Sequence, residues 1–148
     1  MLTSTPIAST ALGLDVRIFE VRAAAEFEAT FERLVREKID GICVGTSPLF
    51  VSNRIDIVAL AARARLPTVY SFREFATAGG LVSYGANLSD LYRRKAAMIE
   101  KILKGASPAD IPIERPITFE LLINLKSAKA LSLQMSPTLL ARADEVIE

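Results

Sequence analysis

The sequence predicts an α/β fold, an open and mostly parallel sheet with helices on both faces, and three observations carry that expectation. Short apolar runs rich in branched residues alternate with longer helical patterns from near the start to about residue 104. The run Ile42 to Gly45 is apolar without interruption, which suits a strand covered on both sides rather than one facing water. Hydrophobic residues make up 51% of the 148 and charged ones 24%, enough to build one ordinary core and too apolar for a disordered chain.

Asp15 to Val21 has the first strand character, with Val16, Ile18 and Glu20 on one side of the pleat and Arg17, Phe19 and Val21 on the other. Residues 23–38 read as an amphipathic helix whose buried stripe is Phe27, Phe31, Leu34 and Val35. Asp40-Gly41 turns into the strand Ile42 to Gly45. After the polar loop Thr46-Ser47-Pro48 comes a helix over 51–65, its apolar part supplied by Ile55, Val58, Leu60, Ala61 and Ala62, stopped by Leu66-Pro67. Thr68 to Tyr70 is the next strand, Glu74 to Ala78 a helical turn ended by Gly79-Gly80, and Leu81 to Tyr84 a further strand.

Asn87 or Ser89 can cap a helix from Leu88 to Lys104, with Gly105 as its stop. Beyond it the style changes: Pro108, Pro112 and Pro116 space out a connector, and Thr118 to Leu125 forms a strand with Phe119, Leu121 and Ile123 on one face. Asn124 caps a short helix, and Ser136-Pro137 opens a terminal one in the favoured cap-then-proline order.

Composition narrows the function classes. A formal charge of +1 gives no concentrated basic surface for nucleic acid. The chain has no histidine, so the commonest zinc ligand and the commonest general base are both missing, and no cofactor is expected. Ser47 lacks the second glycine of a nucleophile elbow, since Leu49 stands there, and Gly45 and Gly79-Gly80 lack phosphate-loop spacing. The lysines fall in helices and connectors rather than at strand ends, where a Schiff-base lysine would sit. The lone Cys43 is read as a small core filler rather than a reactive thiol. No window approaches the ~20 apolar residues of a membrane helix, and the first residues lack the basic start of an export signal, so the chain as written is expected to stay in the cytoplasm.

Binding residues are expected at the carboxyl ends of the parallel strands, where open sheets hold ligands. Thr46 and Ser47 follow one strand, Ser71, Phe72 and Arg73 the next, and Ser83, Tyr84 and Asn87 lie at or beyond the end of the third. The three serines can donate to a ligand or cap neighbouring turns. Phe72 and Tyr84 can stack on a ligand or pack, whereas Phe75, on a helical turn, packs. Arg73 is either a surface arginine or a planar fork for a carboxylate, and Glu74 is read as serving the helix dipole and an ion pair. Non-covalent capture of a small solute, a structural domain without ligand, and an enzyme of flavodoxin-like architecture are the three classes open to such a chain.

From Leu12 to Glu148 the chain resembles the C-terminal half of the substrate-binding proteins of ABC transporters, in the tryptophan/tyrosine-type group. The resemblance is carried by Leu-Pro-Thr-Val-Tyr-Ser-Phe-Arg-Glu-Phe from Leu66, Ala-Gly-Gly-Leu-Val-Ser-Tyr-Gly-Ala-Asn from Ala78, Lys-Ile-Leu-Lys-Gly-Ala-Ser-Pro-Ala-Asp-Ile-Pro from Lys101 and Phe-Glu-Leu-Leu-Ile-Asn-Leu-Lys-Ser-Ala-Lys-Ala-Leu from Phe119. It implies one α/β lobe of a type I periplasmic-binding-protein fold over residues 1–148, with 1–14 and 88–125 crossing towards an N-terminal lobe. It also implies a periplasmic location, an ABC permease as partner, and an amino acid or aromatic acid as solute, met by Ser47, Ser71, Phe72 and Tyr84. A face left without its partner lobe would be a large apolar patch, and a homodimer is the expected cover.

Overall fold

The computed structural model describes residues 11–148 and is organised around a five-stranded sheet in the order β1-β2-β3-β4-β5: Ile42–Val44, Thr68–Tyr70, Val82–Ala86, Phe119–Asn124 and Glu145–Ile147. The first three strands run parallel, β4 runs antiparallel to β3, and β5 is parallel to β4. The α/β class and the mostly parallel sheet are therefore as the alternating periodicities predict. The short β5 has no counterpart in the sequence reading, because Glu-Val-Ile offers too brief a pattern to be told from a loop.

Helix α1, Phe27–Arg36, follows a 3-10 turn at Ala24–Glu26 and buries Phe27, Phe31 and Leu34. Val35 is exposed, since it lies a hundred degrees round from Leu34 and off the stripe. The expected helix over 51–65 is two helices. Ser47 caps α2, Pro48–Ser52, and Asn53 at φ −107° interrupts the chain before α3, Arg54–Arg63. The buried stripe of α3 is Ile57, Val58 and Ala61, while Ile55 faces solvent. Helix α4, Arg73–Thr77, brings Phe75 onto Tyr70, their rings stacked at 4.7 Å in the centre of the core. Helix α5, Leu88–Leu103, is capped by Asn87 and buries none of its side chains. Helices α6, Leu125–Ala130, and α7, Pro137–Leu140, are capped by Asn124 and Ser136.

Two further expectations are corrected. Asp15 to Val21 has no regular secondary structure and pairs with no strand among the described residues. Its alternate side chains find other partners: Phe19 and Val21 pack against the core, the Arg33 guanidinium lies 4.9 Å from the Phe19 ring centroid, and Arg17 pairs with Asp15 and Glu37. Alternation is a local pattern, whereas a strand also needs an edge to bond to.

Cys43 is exposed rather than a core filler. The pleat places Val44, Thr68, Tyr70 and Ser83 on the covered face, and Cys43, Val69 and Tyr84 on the other, which is open at these positions among the described residues, although Ile123 of β4 on that same face is buried. Of the segment 1–14, most lies outside the described residues; Ala11 and Leu12 are helical, and Gly13 turns with φ +65°.

Candidate functional site

The parallel strands end together, and the residues after them form one edge of the sheet. Thr46 is exposed between β1 and α2. Beside it the Ser47 Oγ accepts the Leu49 N–H at 3.2 Å, so this hydroxyl caps α2. The Ser71 hydroxyl donates to the Val44 carbonyl at 3.3 Å, tying the end of β2 to the end of β1. Phe72 is the extended residue before α4, half-buried against the core cluster. The edge thus brings Thr46, Ser47, Ser71 and Phe72 together.

Arg73 opens α4 and turns towards β4 and β5. Its Nη1 donates to Glu120 Oε2 at 3.0 Å and its Nη2 to Glu145 Oε2 at 2.6 Å. The fork that the sequence offers to a ligand carboxylate is thus already occupied by two carboxylates of the protein. Asn87 joins the same group: its Nδ2 donates to Glu120 Oε2 at 3.0 Å while its Oδ1 accepts the Asp90 N–H at 2.9 Å.

Glycine makes this convergence possible. Gly85 pairs with Glu120 across β3 and β4, and the carbonyl of Ser71 passes where a Gly85 side chain would stand. The bare backbone at 85 lets the segment after β2 cross the end of β3, and Arg73 reaches Glu120 by that route.

Ser83 and Tyr84 part company. Ser83 is 1% exposed on the covered face, its Oγ without a hydrogen-bond partner, so it is not open to solvent at the edge. Tyr84 is 58% exposed on the other face, its ring stacked on Phe119 at 5.9 Å. The pair forms an accessible aromatic shelf near the stem of β3 and β4. Glu74 makes no ion pair among the described residues, and its Oε2 is buried without a partner.

Sequence reasoning missed Glu120, Glu145, Gly85 and Phe119 as members of this region. A signal for Glu120 was present: with Phe119, Leu121 and Ile123 on one face of β4, parity puts Glu120 beside Leu122 and Asn124 on the other, and all three are buried. A charged residue on a covered strand face needs a partner, and Arg73 is that partner.

Asp90, in the first turn of α5, accepts from Arg94 at 3.0 Å and from the Thr118 hydroxyl at 3.0 Å. These bonds favour its charged form and hold the carboxyl below its ordinary range. A cavity of about 240 Å³, lined by Val58, Ala61, Thr68, Gly80 and Ser127, lies at the opposite, amino ends of β2 and β3 and does not belong to this edge. No group of three or more acids and cysteines is placed to hold a metal among the described residues, and no described helix is long and apolar enough to cross a membrane.

The comparisons with known proteins agree with the resemblance. Residues 6–147 match the family model described as ABC transporter substrate binding protein. A tyrosine-binding protein of Clostridioides difficile (strain R20291) is 29% identical over 97 residues, covering 66% of this chain and 28% of that protein. An ABC domain from Streptococcus pneumonia, solved in complex with L-Trp, is 28% identical with a TM-score of 0.89 over 99% of this chain and 50% of that one. A conserved domain protein from Vibrio cholerae superposes equally well, at a TM-score of 0.89 and 19% identity over 98% of this chain and 49% of its own, which shows the fold alone. The chain spans about half the length of these solved structures. With the family model matched along nearly its whole length, the chain belongs to the ABC transporter substrate binding proteins.

Proposed function

We propose that this lobe forms one wall of a solute-binding cleft, and that the protein captures a small molecule such as an amino acid or aromatic acid without chemistry. The observation that carries the reading is the strand-end edge: Ser71 bonded to the end of β1, Ser47 and Thr46 beside it, Phe72 half-exposed, and the Tyr84–Phe119 shelf near β3's end. Thr46 and Tyr84 are the most exposed of these side chains, and Phe72 offers part of its ring to a ligand. Ser47, Ser71 and Asn87 shape the edge through their caps and ties, and Arg73 acts on it indirectly.

The L-Trp complex of the streptococcal neighbour and the name of the clostridial relative favour aromatic amino acids as first probes. Delivery to an ABC permease outside the cytoplasm is the physiological role that family membership supports. Isothermal calorimetry against L-Trp, L-Tyr and aromatic acids tests the reading. We expect saturable binding that is lost or weakened at least tenfold in Tyr84→Ala, and silence with every probe would count against it.

A second reading has its own observation. Val69, Tyr84, Phe119 and Cys43 lie on an open sheet face, and Tyr92, Ile99 and Leu103 are exposed on α5. Such apolar surface calls for a cover. A second copy of the chain can supply it, making the chain a dimerising structural domain; light scattering at micromolar concentration distinguishes a dimer from a monomer.

A further inference from the structure

Between β3 and β4 the chain leaves the sheet and returns. Residues 88–118 hold α5 and the proline-spaced connector, and α5 buries none of its side chains, so among the described residues no packed core dictates where it points. Among the described residues its ties back to the sheet lie at the stem, where Ala86 pairs with Phe119 and the Asn87 N–H donates to the Thr118 carbonyl at 3.0 Å.

At that stem a single carboxylate oxygen gathers two parts of the fold. Glu120 Oε2 accepts from Arg73 at 3.0 Å and from Asn87 at 3.0 Å, and Arg73 also reaches Glu145 at 2.6 Å. Glu120 is 9% exposed, so the two bonds to its carboxylate are partly sheltered from competing water, whereas the Arg73–Glu145 pair is exposed. Asn87 spends its remaining amide oxygen on Asp90, which in turn takes Thr118 and Arg94. Of the two side chains that bond to Glu120, Asn87 is therefore the one that caps α5.

We infer that Arg73 is a positioning residue: through Glu120 and Asn87 it holds the stem and so sets the direction in which the 88–118 excursion projects from the sheet. The excursion would flank the strand-end edge, so the consequence for capture rests on the solute-binding reading. The geometry does not, and its test is made without solute.

The exposed Cys43 on β1 supplies one spin-label site and Ala97→Cys on the exposed side of α5 a second. Pulsed electron paramagnetic resonance then reads the distance from the sheet to the excursion in the 148-residue chain. Arg73→Gln removes the fork; Asn87→Ser keeps an oxygen for the helix cap but removes the amide that bridges to Glu120. Arg33→Gln, which breaks an exposed ion pair on α1, is the control.

We expect one narrow distance in the parent and the control, and its loss to a broad distribution in both stem variants while cooperative melting persists. An unchanged narrow distance in either folded stem variant would overturn the inference, as would equal broadening in Arg33→Gln. Loss of cooperative folding in both stem variants would assign the cluster to stability and overturn it as well.

Discussion

A Cβ on Gly85 would stand 1.8 Å from the carbonyl oxygen of Ser71 and 2.9 Å from its carbonyl carbon. The obstacle is backbone, which cannot swing aside as a side-chain tip does. Gly85→Ala should therefore cost at least the 1–3 kcal/mol typical of overpacking, roughly at the upper end. It should also push the segment carrying Arg73 away from Glu120. Urea unfolding would report the first effect as a lower midpoint, and a retained midpoint would show that β3 and the β2 turn separate easily.

The helix cap at Asn87 gives a second expectation. Its Oδ1 accepts the Asp90 N–H at 2.9 Å, and no buried stripe of α5 compensates if that bond goes. Asn87→Ala should cost about 0.5–2 kcal/mol from the lost cap. Amide exchange in the first turn of α5 should speed up before the sheet is affected, and uniform protection across the chain would contradict this.

Asp90 extends the argument to pH. The hydrogen bond from Arg94, then that from Thr118, favours its carboxylate, and its pKa in the folded chain lies below the ordinary 3.8. A depressed carboxylate contributes stability above its unfolded pKa, and that contribution is lost as the pH falls through the folded value. Acidification should loosen the first turn of α5 only once Asp90 itself protonates. Following the Asp90 carboxyl carbon by NMR alongside the α5 amides checks the coincidence; Asp90→Asn should abolish it.

Much of this was legible because the cues are local. Branched apolar runs mark β1 to β4, and Asn87, Asn124 and Ser136 stand at the caps they were expected to fill. The alternation over Asp15 to Val21 predicts a strand that does not form, because pairing depends on an edge elsewhere in the fold. Arg73 was placed at the right strand end, but its partners lie 47 and 72 residues away, a separation no spacing rule spans. The uninterrupted apolar run of β1 points to cover on both faces, and nothing local shows that one face is open at Cys43, so the pattern alone puts this thiol in the core.

That exposure leads to a chemical expectation. Cys43 lies on the open face in register with Val69, which is itself partly exposed. An aromatic disulfide reagent should modify one thiol per chain without denaturant if this face is open in solution. Modification only after unfolding would mean that this face is covered, and light scattering then tells whether a second copy covers it.

Tyr70 supplies the expectation at high pH. Burial pushes its hydroxyl up to about 12 from 10.0, with a hydrogen bond to Thr68 offsetting part of the rise. The folded chain thus keeps a proton that the unfolded chain releases. The contribution is complete below pH 10.0 and lost as the pH rises towards about 12, so stability should fall across that window. The loss is about 3 kcal/mol at most. Lysines and arginines titrate there too, so the comparison must be with Tyr70→Phe, which keeps the ring stacked on Phe75 at 4.7 Å but has no proton to lose. Urea midpoints of the parent should fall more steeply with rising pH than those of Tyr70→Phe. Parallel slopes would show that the hydroxyl reaches water in the folded chain.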